Sequence, residues 1–139
     1  MTIFLTNCES ILDINRQEDD CVSDNYLTVD SYLEQDENGY YIMNFLQGYV
    51  QTFTTLTCYT NTEYQKVFWY SNRQINIQFM NTDNWTDVVN HSSYTDDEGE
   101  CHTVLGVWDV FVNDTVTVYS FLVDECNVEY SDSLKVIIR

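Results

Sequence analysis

The sequence predicts an all-β fold in which one N-terminal helix precedes seven or eight short strands, arranged as an antiparallel barrel or sandwich. Three observations support this prediction. Runs rich in valine, threonine and aromatic residues recur after residue 40, turn-forming residues separate these runs, and the clearest helical spacing of apolar residues lies before them. The chain has 139 residues, enough for a single domain, 1–139, with its own hydrophobic core.

The N-terminal part of the chain is predicted to contain an arm and a helix. Residues 1–22 show no clear periodicity, so we expect them to form the arm. From Ser23 onwards apolar residues recur at spacings of three and four, which predicts a helix over residues 23–37. Asn38-Gly39 is a suitable end for this helix.

Strand-forming stretches follow the predicted helix, and residues 40–126 are expected to form the barrel. The predicted strands are Tyr40–Tyr49, Phe53–Tyr59, Val67–Tyr70, Ile75–Met80 and Trp85–Val89. Ser71–Gln74 is predicted to join two of them as a hairpin. Asp132–Arg139 suits either a short C-terminal helix or a strand.

The segment from Cys101 to Cys126 predicts a second hairpin. The strand-forming runs Thr103–Val112 and Thr115–Val123 flank Asn113-Asp114, residue types that tolerate the positive φ of a two-residue turn. With that turn, Cys101 lies opposite Cys126 at a distance that a disulfide can bridge. The same register predicts an aromatic wall on the other face, formed by Trp108, Tyr119 and Phe121.

The cysteines and glycosylation triplets indicate a secreted, extracellular protein. Of the five cysteines, Cys101 and Cys126 are predicted to pair. Either Cys8 or Cys21 is expected to pair with Cys58, with Cys8 as the first candidate. Triplets of the N-glycosylation type begin at Asn84, Asn90 and Asn113.

The charge and the missing motifs exclude several function classes. The formal net charge is −18, from 23 acidic and 5 basic residues, which argues against nucleic acid or an anionic membrane as a partner. No catalytic signature is present, and His91 and His102 lack the spacing of zinc ligands. We therefore expect a protein that is not an enzyme and needs no cofactor or metal. We also expect it to be a monomer. The mixture of acids and aromatic rings suits an organic cation.

Trp85 and Asp87 form the most specific candidate for such a site. In a strand the two side chains share one face, while Asn84 lies on the other. A glycan on Asn84 needs water, so Trp85 and Asp87 would point into the barrel. An inward carboxylate needs a partner, which a cationic ligand could supply. The alternative is a strand end in which Asp87 meets solvent beside a half-buried Trp85.

Several short motifs occur in a characteristic order between about residues 30 and 126. They are Tyr40-Tyr41-Ile42-Met43, Thr57-Cys58, Phe68-Trp69-Tyr70-Ser71-Asn72 with Asn76-Ile77-Gln78-Phe79, Trp85-Thr86-Asp87-Val88-Val89, and Tyr94-Thr95-Asp96-Asp97 before Cys101. In these motifs the chain resembles the tick salivary lipocalins, the family that includes histamine- and serotonin-binding proteins. The resemblance implies a secreted eight-stranded lipocalin barrel, capped by the N-terminal helix, that sequesters one small molecule.

The resemblance also implies a ligand site for a biogenic amine, histamine or serotonin. Asp87, with Glu34 or Asp36 from the helix end, would neutralise the ammonium group. The side chains expected around the rest of the ligand are Tyr41, Phe45, Trp85, His102, Trp108 and Tyr119. Cys101-His102-Thr103 and Tyr119-Ser120-Phe121 stand where the amine-binding members carry carboxylates. A lipid mediator or a fatty acid is therefore the alternative ligand.

An immunoglobulin-like recognition domain is a further alternative. Cys58 and Trp69 stand eleven positions apart, close to the spacing of the strand B cysteine and strand C tryptophan of that fold. Cys126 follows Cys58 by 68 positions, and Ser131–Arg139 could be a final strand. A Cys58–Cys126 disulfide would favour this sandwich, whereas Cys101–Cys126 would favour the barrel.

Overall fold

The computed structural model describes residues 21–73, 77–80 and 92–139. In these ranges the chain forms nine β-strands and one 3-10 turn, and they contain no α-helix. The strands are β1 Leu27–Ser31, β2 Tyr41–Met43, β3 Gln51–Thr60, β4 Lys66–Ser71, β5 Ile77–Met80, β6 Ser92–Tyr94, β7 Glu100–Trp108, β8 Thr115–Val123 and β9 Glu129–Ile138, and the 3-10 turn is Asp109–Phe111. Nowhere in this part of the chain is there a helix with the length and apolar character that crossing a membrane requires.

The nine strands form two sheets that enclose one core. One sheet has the order β1-β3-β7-β5, and the other has the order β2-β9-β8-β4-β6. Neighbours pair antiparallel except β2 and β9, which are parallel. Alternate side chains of each strand point inward, and the most deeply buried ones are Leu56, Phe79, Leu105 and Val107 from the first sheet and Val67, Trp69, Val116, Val118, Leu122, Val136 and Ile138 from the second.

The prediction of a closed eight-stranded lipocalin barrel is therefore wrong. The strands divide into two sheets, one of them curled, and the described strands do not close into a single barrel. The order β1-β3-β7-β5 follows the A-B-E-D order of an immunoglobulin-like sandwich, and β9-β8-β4-β6 follows G-F-C-C′. One departure from that fold is the chain order, because β5, in the D place, precedes β6, in the C′ place.

The predicted helix over residues 23–37 is also wrong. Leu27–Ser31 is a strand that pairs antiparallel with β3, from Leu27 opposite Thr60 to Ser31 opposite Leu56. The helical spacing was misleading because Leu27 and Val29 also stand two apart, the spacing that places both on the inner face of a strand. Pairing with β1 satisfies the backbone groups along that edge of β3, which a surface helix here would leave open.

Both predicted hairpins fail for a common reason, because in each case the chain crosses from one sheet to the other. The Asp109–Phe111 turn carries the chain from β7 in the first sheet to β8 in the second. Asn113 does adopt the predicted positive φ, at 71°, but its N–H donates to the carbonyl of Ile138 in β9. Likewise, β4 and β5 lie in different sheets. The ambiguous C-terminal segment is a strand, β9, paired with β8 along its length.

The disulfide lies between Cys21 and Cys126, with the two Cα atoms 5.6 Å apart. This corrects the predicted Cys101–Cys126 pair, because the opposed strands that it required do not exist. Cys126 lies instead at the tip of the β8–β9 hairpin, where the Asp124 carboxylate accepts hydrogen bonds from the backbone N–H groups of Cys126 and Val128, both at 2.9 Å. Cys58 and Cys101 are buried free thiols, and Cys8 lies outside the described residues.

Candidate functional site

The outer surface of the five-stranded sheet carries a cluster of aromatic rings, which we call the aromatic face: Phe68, Tyr70, Tyr119 and Phe121. Strands β4 and β8 place Phe68 opposite Phe121 and Tyr70 opposite Tyr119. In both pairs the ring centroids are 4.9 Å apart, with interplanar angles of 15° and 13°. Tyr70 also meets Phe121 edge to face at 6.0 Å. The four rings therefore form two stacked pairs, joined by one edge-to-face contact, on the solvent side of the sheet.

The rings of the aromatic face form two stacked pairs that are inclined to each other. Within each pair the 4.9 Å centroid separation matches the spacing between neighbouring strands. Between the pairs, the planes of Tyr70 and Phe121 meet at 70°. One flat face of each ring is therefore covered by its stacked partner.

The charge around the aromatic face differs from that of the rest of the protein. The Lys66 ammonium lies 5.1 Å from the ring centroid of Phe68, and that of Lys135 lies 5.1 Å from the ring centroid of Tyr40. Strands β4, β6 and β8 contain no acidic residue. Four of the chain's five basic residues lie on β4 or β9 or within two residues of their ends, namely Lys66, Arg73, Lys135 and Arg139. The aromatic face is thus poor in acids in a protein of net charge −18.

The outer surface of the four-stranded sheet has a shallow groove of about 200 Å³, lined by Asp30, Ser31, Tyr32, Thr55, Thr57 and Tyr59. Next to it, His102 Nδ1 lies 3.0 Å from Thr57 Oγ1, and His102 Nε2 lies 3.1 Å from Glu100 Oε1. This order of hydroxyl, imidazole and carboxylate is that of a nucleophilic triad. However, the backbone around Thr57 pairs with β1 on one side and β7 on the other, so the N–H groups there are not free to stabilise an oxyanion.

Tyr41 joins the two sheets at the edge formed by β1 and β2. Its side chain is 8% exposed, and its hydroxyl donates a 2.6 Å hydrogen bond to Asp30 Oδ1. Burial and the hydrogen bond to the Asp30 carboxylate raise the pKa of Tyr41 to about 12. Nearby, Asp132 Oδ2 on β9 accepts a 2.9 Å hydrogen bond from the backbone N–H of Val29 on β1. These two contacts close the edge of the sandwich, which is a structural role.

The described members of the predicted amine site are not gathered into one cavity. Asp36 Oδ1 accepts 2.9 Å hydrogen bonds from the backbone N–H groups of Asn38 and Tyr40 and so shapes a turn. Glu34 is exposed in the same connection between β1 and β2. The other described members lie apart: Tyr41 at the β1–β2 edge, Phe45 and Trp108 half-buried against the core, His102 on the four-stranded sheet and Tyr119 on the aromatic face. Trp85 and Asp87 lie outside the described residues.

Sequence reasoning missed Phe68, Tyr70 and Lys66 as site residues. The alternation along β4 does contain the signal, because Val67, Trp69 and Ser71 are buried while the residues between them are not. The stack itself depends on the pairing of β4 with β8. That pairing joins segments about fifty residues apart, which no local pattern reveals.

Comparisons with known proteins identify no family for this chain. No family model matches it, and no curated protein matches it. Among solved structures, it is similar to a family 123 glycoside hydrolase from Clostridium perfringens, described in a study of glycolipid glycan hydrolysis, with 9% identity and a TM-score of 0.43. The alignment covers 84% of this chain and 27% of that one, so this chain spans about a quarter of the enzyme. A likeness of this size supports no statement about function. These comparisons also lend no support to the resemblance to tick lipocalins.

Proposed function

We propose that this protein is an extracellular recognition module that binds another protein through the aromatic face. The observation that carries the proposal is the stack of Phe68, Phe121, Tyr70 and Tyr119 on the solvent side of a sheet. Large aromatic side chains dominate binding energy at protein interfaces. An exposed aromatic cluster in the middle of a sheet is typical of such a surface.

The stacking of the rings favours a protein partner over a carbohydrate. A sugar ring binds best to the flat face of an aromatic side chain, and here one face of each ring is covered by its stacked partner while Lys66 lies over the ring of Phe68. The hydroxyl groups of Tyr70 and Tyr119 suit the polar groups of a protein surface, since a buried tyrosine hydroxyl usually finds a hydrogen-bond partner.

A small molecule held inside the fold, either an amine or a lipid mediator, is less compatible with these sheets. The predicted amine site needs a hollow barrel, whereas side chains of both sheets fill the space between them. Two grooves on the described surface, one lined by Phe53 and the other by Tyr59, are open to solvent. We also propose that the protein is not an enzyme, because the arrangement of Thr57, His102 and Glu100 is flanked by paired backbone.

The disulfide supports an extracellular location for this module. Disulfides persist in oxidising compartments and are rare in the cytosol. Cys21–Cys126 joins the segment before β1 to the tip of the β8–β9 hairpin and leaves the aromatic face uncovered. A secreted or cell-surface recognition domain combines these two features.

A binding screen with matched variants tests the proposal. The wild-type chain would be screened against a panel of purified extracellular proteins that includes the chain itself, in parallel with a Tyr70→Thr/Tyr119→Thr variant. Threonine keeps the strand propensity while it removes the rings. The control is Tyr59→Thr, which removes a partly exposed ring from the opposite sheet. We expect the wild-type chain to bind a member of the panel. The affinity should fall at least about tenfold in the double variant and stay unchanged in the control. Binding that survives in the double variant, or no binding at all, would contradict the proposal.

A further inference from the structure

We infer that the partner of the aromatic face is a second copy of this chain, bound face to face about a two-fold axis. The inference rests on the proposed function, since it uses the same surface, and it adds the identity of the partner. It differs from the monomer expected from the sequence. Three features carry it: the arrangement of the outward residues, their charges, and the size of the surface.

The outward residues of β4, β8 and β9 form four complete rows across the three strands, and Thr115 with Ile137 forms a further, two-strand row. Strand pairing and the hydrogen bonds between Asn72 and Thr117 fix the four complete rows. In order they are Lys66–Val123–Glu129, Phe68–Phe121–Ser131, Tyr70–Tyr119–Ser133 and Asn72–Thr117–Lys135. The two ring rows are the middle rows of these four, and Glu129 and Lys135 lie in the two outer rows.

This arrangement is self-complementary about one axis. The axis lies in the interface, perpendicular to the strands, between the row of Phe68 and the row of Tyr70. Rotation by a half turn about it brings each ring row onto the other ring row of the second copy. The same rotation brings Glu129 of each copy opposite Lys135 of the other. An isologous interface of this kind forms every contact twice.

The distribution of charge explains why two copies of so acidic a chain would meet here. At a net charge of −18, most pairs of surfaces would oppose carboxylates to carboxylates. On the aromatic face the outward residues of β4, β8 and β9 include two lysines and one glutamate, namely Lys66, Lys135 and Glu129. Each Glu129 would gain an opposite charge, and the apolar centre would be removed from water.

The size of the face predicts a weak, reversible dimer. Three strands and the short β6, about 4.8 Å apart, and four rows, about 6.8 Å apart, cover about 500 Å² in each copy. About 1,000 Å² in total is the lower limit for a specific interface and corresponds to transient association. We therefore expect a dissociation constant in the micromolar range, so the fraction of dimer should depend on protein concentration.

Sedimentation of the whole, disulfide-bonded chain over about 1–500 μM tests the inference. We expect a monomer–dimer equilibrium. The affinity of the dimer should be at least about tenfold lower in Glu129→Lys and in Lys135→Glu, because each substitution places like charges opposite each other across the interface. The double reversal Glu129→Lys/Lys135→Glu restores the pair and should recover most of the wild-type affinity. Asp109→Lys is the control, because it changes the net charge as Glu129→Lys does but lies in the 3-10 turn away from this surface. It should change the dissociation constant of the dimer by no more than about twofold. Thermal unfolding of each variant confirms that it folds.

The outcomes separate the inference from the function on which it rests. A chain that stays monomeric throughout the range overturns the inference, and so does a dimer that ignores both charge reversals or is not restored by the double reversal. The recognition function survives either result if another protein in the panel binds wild type and not Tyr70→Thr/Tyr119→Thr. A panel without any binding, together with a monomeric chain, overturns both.

Discussion

Cys58 on β3 lies directly opposite Cys101 on β7, and both thiols are buried between the sheets. The thiols interact with each other and with a serine on each side of the pair, Ser120 on β8 and Ser93 on β6. The hydrogen bond with Cys101, together with burial, raises the pKa of the Cys58 thiol well above its ordinary value. This cysteine pair lies in the core near one end of β3 and β7. Ser93 also accepts a hydrogen bond from the indole N–H of the buried Trp69.

These two thiols should be unreactive in the folded protein. A thiol reacts as its thiolate and only where reagent can reach it, and both sulfurs are shielded. We expect iodoacetamide to label Cys58 and Cys101 only after denaturation, as read by mass spectrometry of non-reduced peptides. The same map should contain the Cys21–Cys126 bridge. Labelling of either buried thiol in the native protein at the rate of the denatured chain would contradict this prediction.

Tyr41→Phe should lower the free energy of unfolding by about 1–2 kcal/mol, because it removes a hydrogen bond to a carboxylate. The pH dependence gives a second readout. The folded pKa of Tyr41, about 12, lies above the ordinary value of 10.0, so the folded state holds this proton longer than the unfolded state. The contribution of Tyr41 to wild-type stability should therefore be fully present below pH 10 and be lost between pH 10 and 12. Urea titrations across that range should show a smaller fall for Tyr41→Phe, and identical pH profiles would disprove the assignment.

The stack of Phe68 on Phe121 should be measurable as a coupling energy. In a cycle of Phe68→Ala, Phe121→Ala and the double variant, we expect about 0.5–1 kcal/mol of interaction beyond the two single effects. The cycle is measured by urea unfolding. Phe68→Ala with Thr117→Ala is the matched control, because their positions lie two rows apart. Equal, negligible coupling in both cycles would show that the rings do not interact in solution.

Gly99→Ala should be far more destabilising than Gly48→Ala. Both glycines have positive φ, at 80° and 89°, so both substitutions carry a backbone cost of about 1 kcal/mol. A Cβ atom on Gly99 would lie 2.2 Å from the carbonyl oxygen of Thr60, whereas one on Gly48 would meet no atom within 4 Å. We expect a further loss of at least about 2 kcal/mol for Gly99→Ala, from thermal or urea unfolding. Similar stabilities for the two variants would contradict the close approach of these backbones.

The sequence predicted local strand formation better than strand pairing. Phe53–Tyr59 lies inside β3 and Thr115–Val123 is β8, because runs of β-branched and aromatic residues depend mainly on local preference. The positive φ of Asn113 was likewise predictable from its residue type. The topology at this turn was not predictable, because the chain crosses there from one sheet to the other instead of forming a hairpin within one sheet.

The candidate site was less predictable than the strands. Tyr119 was expected to contact a ligand beside Trp108, and Phe121 was expected on the same aromatic wall, because the assumed hairpin fixed their partners. Their true neighbours come from β4, and one wrong pairing moves an entire set of side chains to the opposite side of a sheet. Topology therefore decides whether an aromatic run becomes a core or a surface, and that information is spread over the whole chain.

The Cys21–Cys126 bond closes a covalent ring that contains β1 to β8, and of the described strands it leaves β9 outside. If the chain is pulled by its two ends, tension bypasses the enclosed strands and passes through the sulfur atoms. Only the residues before Cys21 and the final segment with β9 can then lengthen. The first unfolding step should thus give only a short gain in length. The strands inside the ring should not be extended by the force until the disulfide is reduced.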